Sequence, residues 1–182
     1  MGASISPNLQ QLQRAMLFVD GTNLLYRLRD ANLVVPSLSR LLTGFSFVAA
    51  GREVARIYFY SIQQHIDSAI LRHGAQFFDG VRVVLGDSIP TDGGNFKEKG
   101  VDALLVADLV YHAASRNCDA AVLVSTDTDF CHAIKRVEDF GCRTAVLGIC
   151  AELPERLKRS ADQSNVITKD NIVSTNLGQV AS

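Results

Sequence analysis

The stretch that decides the fold is AMLFV at residues 15–19, which runs directly into DGTN at residues 20–23. Five consecutive apolar residues are typical of a strand covered on both faces, since a strand with one wet face alternates apolar and polar side chains. Further apolar runs follow along the chain, the last of them short, at residues 54–60, 81–85, 120–124, 144–149 and 166–168. The sequence therefore predicts a sheet that is buried on both sides.

Helix-like segments lie between these runs, at residues 22–30, 37–49, 63–74, 100–116, 128–140 and 152–159. This alternation predicts right-handed crossovers and a mostly parallel sheet between two helical layers, an α/β domain of three-layer α/β/α type. One connection is different, because residues 86–98 are rich in turn-forming residues and too long for a tight turn. We expect a long loop there, either functional or a disordered insertion.

The 182 residues are 47% apolar and 20% charged, as in an ordinary globular protein. The pattern predicts one domain over residues 15–170, with an N-terminal arm at 1–14 and a C-terminal tail at 171–182.

The four cysteines include no Cys-x-x-Cys pair and are expected to be reduced thiols in the core. Because no apolar run approaches the roughly 20 residues of a membrane span and no signal-peptide pattern is present, we expect a cytoplasmic protein with no membrane partner. Whether the chain forms a homo-oligomer stays open.

Carboxylates gather where the predicted strands end. Asp20 follows the first strand, Asp127 and Asp129 follow the fourth, and Asp102 lies in the first turn of a helix that begins after Gly100. Each alone would fit a turn, a helix cap or a favourable helix-dipole position. In a parallel sheet, however, the carboxyl ends of the strands meet at one edge, which is where ligands bind.

Crowded carboxylates repel one another and stay ionised only if a cation neutralises them. Ligands that are all oxygen suit Mg²⁺ or Mn²⁺, which can activate water for attack on a phosphodiester. The sequence therefore predicts a metal-dependent phosphodiesterase.

The formal net charge of −1 gives no general attraction for nucleic acid, so any phosphate contacts must be local. Lys97 and Lys99 are the favoured contacts because they precede Asp102, although a solvated basic face is the alternative; further candidates are Arg27, Arg29, Arg156, Lys158 and Arg159.

Taken together, these motifs resemble the NYN domain family, relatives of the PIN-domain ribonucleases, and within it the stand-alone bacterial proteins of the LabA-like group. The resemblance covers residues 15–169 and rests on four motifs, at residues 20–23, 99–102, 125–130 and 157–163. It implies a PIN-like, Rossmann-like sheet whose order, counted by apolar runs, is 3-2-1-4-5. It also implies a ribonuclease that uses Mg²⁺ or Mn²⁺ and has RNA as its partner.

The resemblance assigns roles to individual residues. It implies that Asp20, Asp102 and Asp127 bind metal and act in catalysis, with Asp129 completing the catalytic set. The expected substrate contacts are Asn23, Ser125, Thr126, Lys97 and Lys99. Thr126 stands where the family often has Gly, which puts the tightness of that turn in question. Asn23 also fits a plain helix cap.

Other classes of protein stay in competition with this interpretation. Haloacid dehalogenase phosphatases would need a second acid at position 22, where this chain has Thr22. Toprim nucleases would need an early Glu in place of Asp20. The stronger alternative is a non-catalytic NYN module that binds RNA or a regulatory protein, because a complete set of carboxylates does not prove turnover.

Overall fold

A six-stranded sheet forms the centre of the computed structural model, which describes residues 13–45, 52–91 and 96–181. Every pairing within this sheet is parallel. In spatial order its strands are β4 (Arg82–Leu85), β3 (Arg52–Ser61), β1 (Gln13–Asp20), β7 (Ala120–Val124), β8 (Arg143–Ile149) and β9 (Gln163–Ile167), numbered along the chain. Counted by apolar runs, this order is third, second, first, fourth, fifth and sixth.

Helices pack on both faces of the sheet, as predicted. They are α1 (Gly21–Asp30), α2 (Leu38–Thr43), α3 (Gln63–His73), α4 (Val101–Ala114), α5 (Cys131–Asp139), α6 (Glu155–Lys158) and α7 (Lys169–Ser174), with a 3-10 turn at Thr128–Phe130. Helix α2 ends before the predicted limit, and the end of the predicted segment, residues 46–49, lies outside the described residues. Among the helices in the described part of the chain, none is both long and apolar enough to cross a membrane.

Strand β1 lies at the middle of the sheet and supplies both cores. Leu17 and Val19 point to one face, where they pack with α1, α2, α3 and α7. Met16 and Phe18 point to the other face, where they pack with α4, α5 and α6. The alternation of side chains along a strand explains why an unbroken apolar run is needed here. The predicted three-layer α/β/α fold is confirmed.

The predicted loop over residues 86–98 contains a β-hairpin instead. Strands β5 (Asp87–Pro90) and β6 (Phe96–Lys99) pair antiparallel, and residues 92–95 between them lie outside the described part. The hairpin has little apolar patterning because most of its side chains are exposed. Its stability comes from backbone pairing and a few polar contacts, which a hydrophobic pattern does not reveal.

The C-terminal segment packs on the domain. The predicted boundary at residue 170 falls inside α7, whose Ile172 is fully buried. Strand β10 (Gln179–Val180) then pairs antiparallel with β2 (Leu33–Val34). The predicted N-terminal arm lies almost wholly outside the described residues, and residues 13 and 14 of it belong to β1.

Gly21 marks a close approach between α1 and β3, and we expect Gly21→Ala to destabilise the protein. An added Cβ would lie 2.5 Å from the carbonyl oxygen of Tyr60 and would also meet the ring of Phe59. Overpacking against groups that cannot move costs about 1 to 3 kcal/mol. Urea unfolding should show this loss, whereas Gly141→Asn, in a left-handed position with open space around it, should stay near the parent. Equal effects of the two changes would contradict the close packing.

His73 should make the fold less stable in mild acid. Its Nδ1 accepts a hydrogen bond of 3.2 Å from the N–H of Val35, and its ring stacks on Phe77. Burial, and to a lesser degree Arg72, lowers the pKa of His73 to about 4. In the unfolded chain the His73 ring takes up a proton near pH 6.5, whereas in the folded protein it does so only near pH 4. The contribution of His73 to the free energy of unfolding is therefore fully present above pH 6.5 and is lost as the pH falls towards 4.

We expect the His73 contribution to be about 1 to 2 kcal/mol after allowance for solvent screening. The measurement is the free energy of unfolding in urea at pH 7.5 and pH 4.5 for the parent and for His73→Asn. The difference between the two proteins should shrink at the lower pH. A difference that is independent of pH would contradict the neutral, buried state of this ring.

Candidate functional site

Asp20 ends strand β1 and begins helix α1. Its carboxylate accepts one hydrogen bond from the N–H of Asn23 at 3.1 Å and another from the hydroxyl of Ser125 at 2.8 Å. Burial and, to a lesser degree, the nearby Asp102 and Asp127 carboxylates outweigh these two bonds and raise the pKa of Asp20 to about 6. Asp20 therefore caps helix α1 and is also a buried carboxylate that the charges of Asp102 and Asp127 repel.

Ser125 joins the ends of strands β1 and β7. While its hydroxyl donates to Asp20, its oxygen accepts from the N–H of Asp127 at 3.0 Å. The Asp127 carboxylate accepts from the N–H of Asp129 at 2.8 Å and so caps the following 3-10 turn. The hydrogen bonds of Ser125 thus fix the relative positions of the two predicted metal-binding residues, Asp20 and Asp127.

A second group of hydrogen bonds, between α1 and Thr126, lies beside those of Ser125. The side-chain amide of Asn23 donates to Thr126 Oγ1 at 3.0 Å and accepts from the N–H of Thr126 at 3.3 Å. Arg27 also donates to Thr126 Oγ1, at 3.2 Å. The threonine at this turn therefore gives α1 a partner that a glycine would not supply. Asn23 and Thr126, predicted as substrate contacts, are bonded to each other.

An open cavity of about 420 Å³ lies at this edge of the sheet and is called the carboxylate cavity below. Five carboxyl groups and one guanidinium line it, together with Thr22, Asn23 and Tyr26; the charged residues are Asp20, Asp30, Glu98, Asp102, Asp127 and Arg27. Burial raises the pKa of Asp102, and Asp127, Glu98 and Asp129 raise it further. Such an excess of negative charge favours a cation.

Predicted metal ligands Asp20, Asp102 and Asp127 all face the carboxylate cavity, whereas Asp129 is exposed beside it. Among the residues that the structure describes, no group of three or more His, Cys, Asp or Glu is close enough to hold one metal ion. Mg²⁺ is usually held by only one or two carboxylates and keeps several waters. The all-oxygen donors of this cavity therefore fit a largely hydrated Mg²⁺ or Mn²⁺.

The structure does not bring Lys97 and Lys99 to the carboxylate cavity. Both are exposed on β6, and neither is among the residues that line the cavity. Alternation along the strand turns Glu98 in the opposite direction, and Glu98 does line the cavity. The cation that lies there is Arg27.

Glu98 also lines the carboxylate cavity, together with Thr22, Tyr26 and Asp30, and none of these four was predicted as a site residue. Glu98 accepts a hydrogen bond from the Thr22 hydroxyl, and its Oε1 lies 3.1 Å from His65 Nδ1. Burial acts to raise the pKa of Glu98, but the bonds to His65 and Thr22 outweigh it and hold the pKa below its usual value. The only signal in the sequence was the alternation Lys97-Glu98-Lys99, which indicates a strand with Glu98 on the opposite face.

The fold and the cavity define a class of protein: a three-layer α/β domain with carboxylates gathered at the carboxyl edge of a parallel sheet. The sequence model of the NYN domain family matches residues 14–168, and the chain belongs to this family. NYN domains are PIN-like and are generally nucleases associated with RNA. Membership therefore indicates a nuclease or RNA-related function at the level of the family.

A solved structure supports the fold independently. A protein of unknown function from Vibrio parahaemolyticus is 23% identical and superposes with a TM-score of 0.65. The match covers 88% of this chain and 96% of the Vibrio chain. A comparison with curated proteins found no match.

Proposed function

We propose that this protein is a metal-dependent ribonuclease that hydrolyses phosphodiester bonds of RNA at the carboxylate cavity, with Mg²⁺ or Mn²⁺. The observation that carries the proposal is that Asp20, Asp102 and Asp127 reach one cavity from three separate segments of the chain. A cap or turn role explains each of them singly, but it does not explain why they share a cavity in spite of their repulsion.

Asp20, Asp102 and Asp127 would hold the metal, in part through the waters that the ion keeps, with Asp129 completing the catalytic set from the rim. A bound divalent ion would lower the pKa of a water and offset negative charge at phosphorus. Ser125 keeps the Asp20 carboxylate in place, because its hydroxyl is bonded to that group. The hydrogen bonds of Ser125 would hold the carboxylates in position before substrate binds, and such preorganisation lowers the barrier to reaction.

The substrate contacts follow from where the basic and amide groups lie. Arg27 lines the carboxylate cavity and would contact a phosphate oxygen of the RNA. Asn23 and Thr126 lie beside it and would contact the same region of the RNA. We expect Lys97 and Lys99, exposed on β6, to contact only an RNA long enough to pass over the hairpin.

Removal of metal is expected to abolish cleavage. EDTA should stop turnover of single-stranded and structured RNA, and added Mn²⁺ or Mg²⁺ should restore it. Attack by water should leave a 5′-phosphate and a 3′-hydroxyl, which phosphatase and ligase treatment of the products will reveal. Activity that persists in EDTA, or products that end in a 2′,3′-cyclic phosphate, would sink the proposal.

The non-catalytic alternative gives a different pattern in the same assay. A module that binds RNA or a regulatory protein would leave RNA intact under every metal condition. Binding measured by fluorescence anisotropy would then separate an RNA-binding module from one that recognises a protein.

A further inference from the structure

We propose that a second cavity, between α1 and α3, binds the nucleotide next to the scissile phosphate when the substrate is a single-stranded RNA. This inference rests on the proposed function and deepens it. The α1–α3 cavity has a volume of about 170 Å³, and its lining includes Thr22, Tyr26, Arg29, Ser68 and Arg72. Cavities that enclose a drug-sized ligand are about 300 to 1,000 Å³, so this one suits a single base or phosphate group.

The two cavities lie on adjacent sides of helix α1. Asn23, Arg27 and Asp30 recur at helical spacing and face the carboxylate cavity. Leu25 and Arg29, four residues apart, face the α1–α3 cavity. Thr22 and Tyr26 lie between these two sets around the helix and line both cavities. An RNA strand that crosses α1 over Thr22 and Tyr26 therefore passes from the carboxylate cavity into the α1–α3 cavity.

The two cavities differ in charge. Five carboxyl groups line the carboxylate cavity, whereas none lines the α1–α3 cavity, to which Arg29 and Arg72 contribute guanidinium groups. Cation binding in the first and phosphate binding in the second are the complementary tasks of a site that cleaves a polyanion. The charge of the α1–α3 cavity therefore favours nucleic acid as its occupant.

Arg72 is held ready for such a contact. Its Nε donates to the carbonyl oxygen of Leu33 at 3.3 Å and its Nη2 donates to Asn32 Oδ1 at 3.5 Å, which fixes the direction of the guanidinium. Within residues 13–45, 52–91 and 96–181, no Asp or Glu lies within ion-pair distance of it. A guanidinium carries five N–H donors, so most of them stay available to an oxygen acceptor.

Tyr26 and Arg29 supply a surface for stacking. The Arg29 guanidinium carbon lies 4.4 Å from the centre of the Tyr26 ring, and the tyrosine is about half exposed, at 49%. Bases of single-stranded RNA stack on aromatic rings and on arginine planes. Paired bases are already stacked in a duplex, so the stacking surface favours a single strand.

The experiment measures RNA binding apart from cleavage. A fluorescent single-stranded RNA is titrated with the full chain carrying Asp20→Asn, in Mg²⁺, and the affinity is read from anisotropy at several salt concentrations. In this background Tyr26→Ala should weaken binding about tenfold, while Tyr26→Phe should stay near the parent. Arg29→Gln and Arg72→Gln should each weaken binding and each reduce the slope of log K against log salt by about 0.7.

Matched controls lie elsewhere on the surface. Tyr111→Ala removes a tyrosine that is 60% exposed on α4, and Arg143→Gln removes an exposed arginine at the opposite edge of the sheet. Both should bind RNA like the parent. A photo-crosslink from an RNA with a single 4-thiouridine should map to the α1 peptide that contains Tyr26.

The outcomes separate this inference from the proposed function. If RNA is cleaved but the Tyr26, Arg29 and Arg72 variants bind like their controls, the second cavity is not a nucleotide site and the nuclease stands. If binding falls as expected but no metal supports cleavage, the cavity stands and the nuclease fails. A chain that binds no single-stranded RNA, or a crosslink that maps away from α1 and α3, overturns the inference.

Discussion

Replacing Asp20 with Asn is expected to lower metal-dependent RNA cleavage on the order of 10³-fold while the protein stays folded. The amide oxygen of the new side chain can still accept the hydrogen bond that the Asn23 N–H donates to Asp20 Oδ1, so the cap of α1 should persist. At the position of Oδ2 the amide NH2 can donate to the Ser125 hydroxyl oxygen, which reverses the direction of that bond. The negative charge that faces Asp102 and Asp127 is lost, and a neutral amide is a much weaker partner for a hydrated divalent cation. Since burial already disfavours the ionised carboxylate, the free energy of unfolding should hold or rise slightly.

The measurement is the initial rate over a range of Mn²⁺ concentrations, with urea unfolding of the same protein samples. Asp127→Asn should behave in the same way as Asp20→Asn. Asp139→Asn makes the identical chemical change at an exposed surface ion pair on α5 and should leave the rate unchanged. If Asp20→Asn cleaves within tenfold of the parent, the carboxylate cavity is not the catalytic centre.

Asp20 and Asp127 show what the sequence could predict about the site. Each follows an unbroken apolar run, and parallel strands place their carboxyl ends at one edge, so topology alone brings the two residues together. Asp102 required one more step, because Gly100 in the left-handed region, at φ 76°, begins α4 beside the cavity. The adjacency of the two strands and the position of Asp102 beside these residues came from the resemblance to the NYN family.

Glu98 and the α1–α3 cavity show why the rest could not be predicted. Strand β6 has four residues and no buried apolar side chain, so the direction of Glu98 depends on its pairing with β5. Lys97 and Lys99 were favoured because they are near Asp102 in sequence, but alternation along the strand turns them away. The α1–α3 cavity exists only because Tyr26 and Arg72, which are far apart in the chain, are brought together by helix packing.

We expect Glu98→Ala to lower kcat/KM for RNA by about 10- to 100-fold, the range found when groups that orient a metal site are removed. Glu98 ties β6 to Thr22 on α1 and to His65 on α3. Strand β6 leads through Gly100 directly into the first turn of α4, where Asp102 lies. Loss of the tie should let the hairpin move and leave Asp102 badly placed in the carboxylate cavity.

Glu98→Gln separates positioning from charge. The amide oxygen can still accept the bonds from Thr22 and His65, so a positioning role predicts a loss of only about threefold in kcat/KM and an unchanged requirement for Mn²⁺. Glu155→Gln, at an exposed pair with Lys158 on α6, is the control and should match the parent. Equal losses in Glu98→Gln and Glu98→Ala, together with a higher Mn²⁺ requirement in both, would show that the negative charge matters. Glu98 would then belong with Asp20, Asp102 and Asp127 as a group that holds the metal, because its carboxylate lines the same cavity.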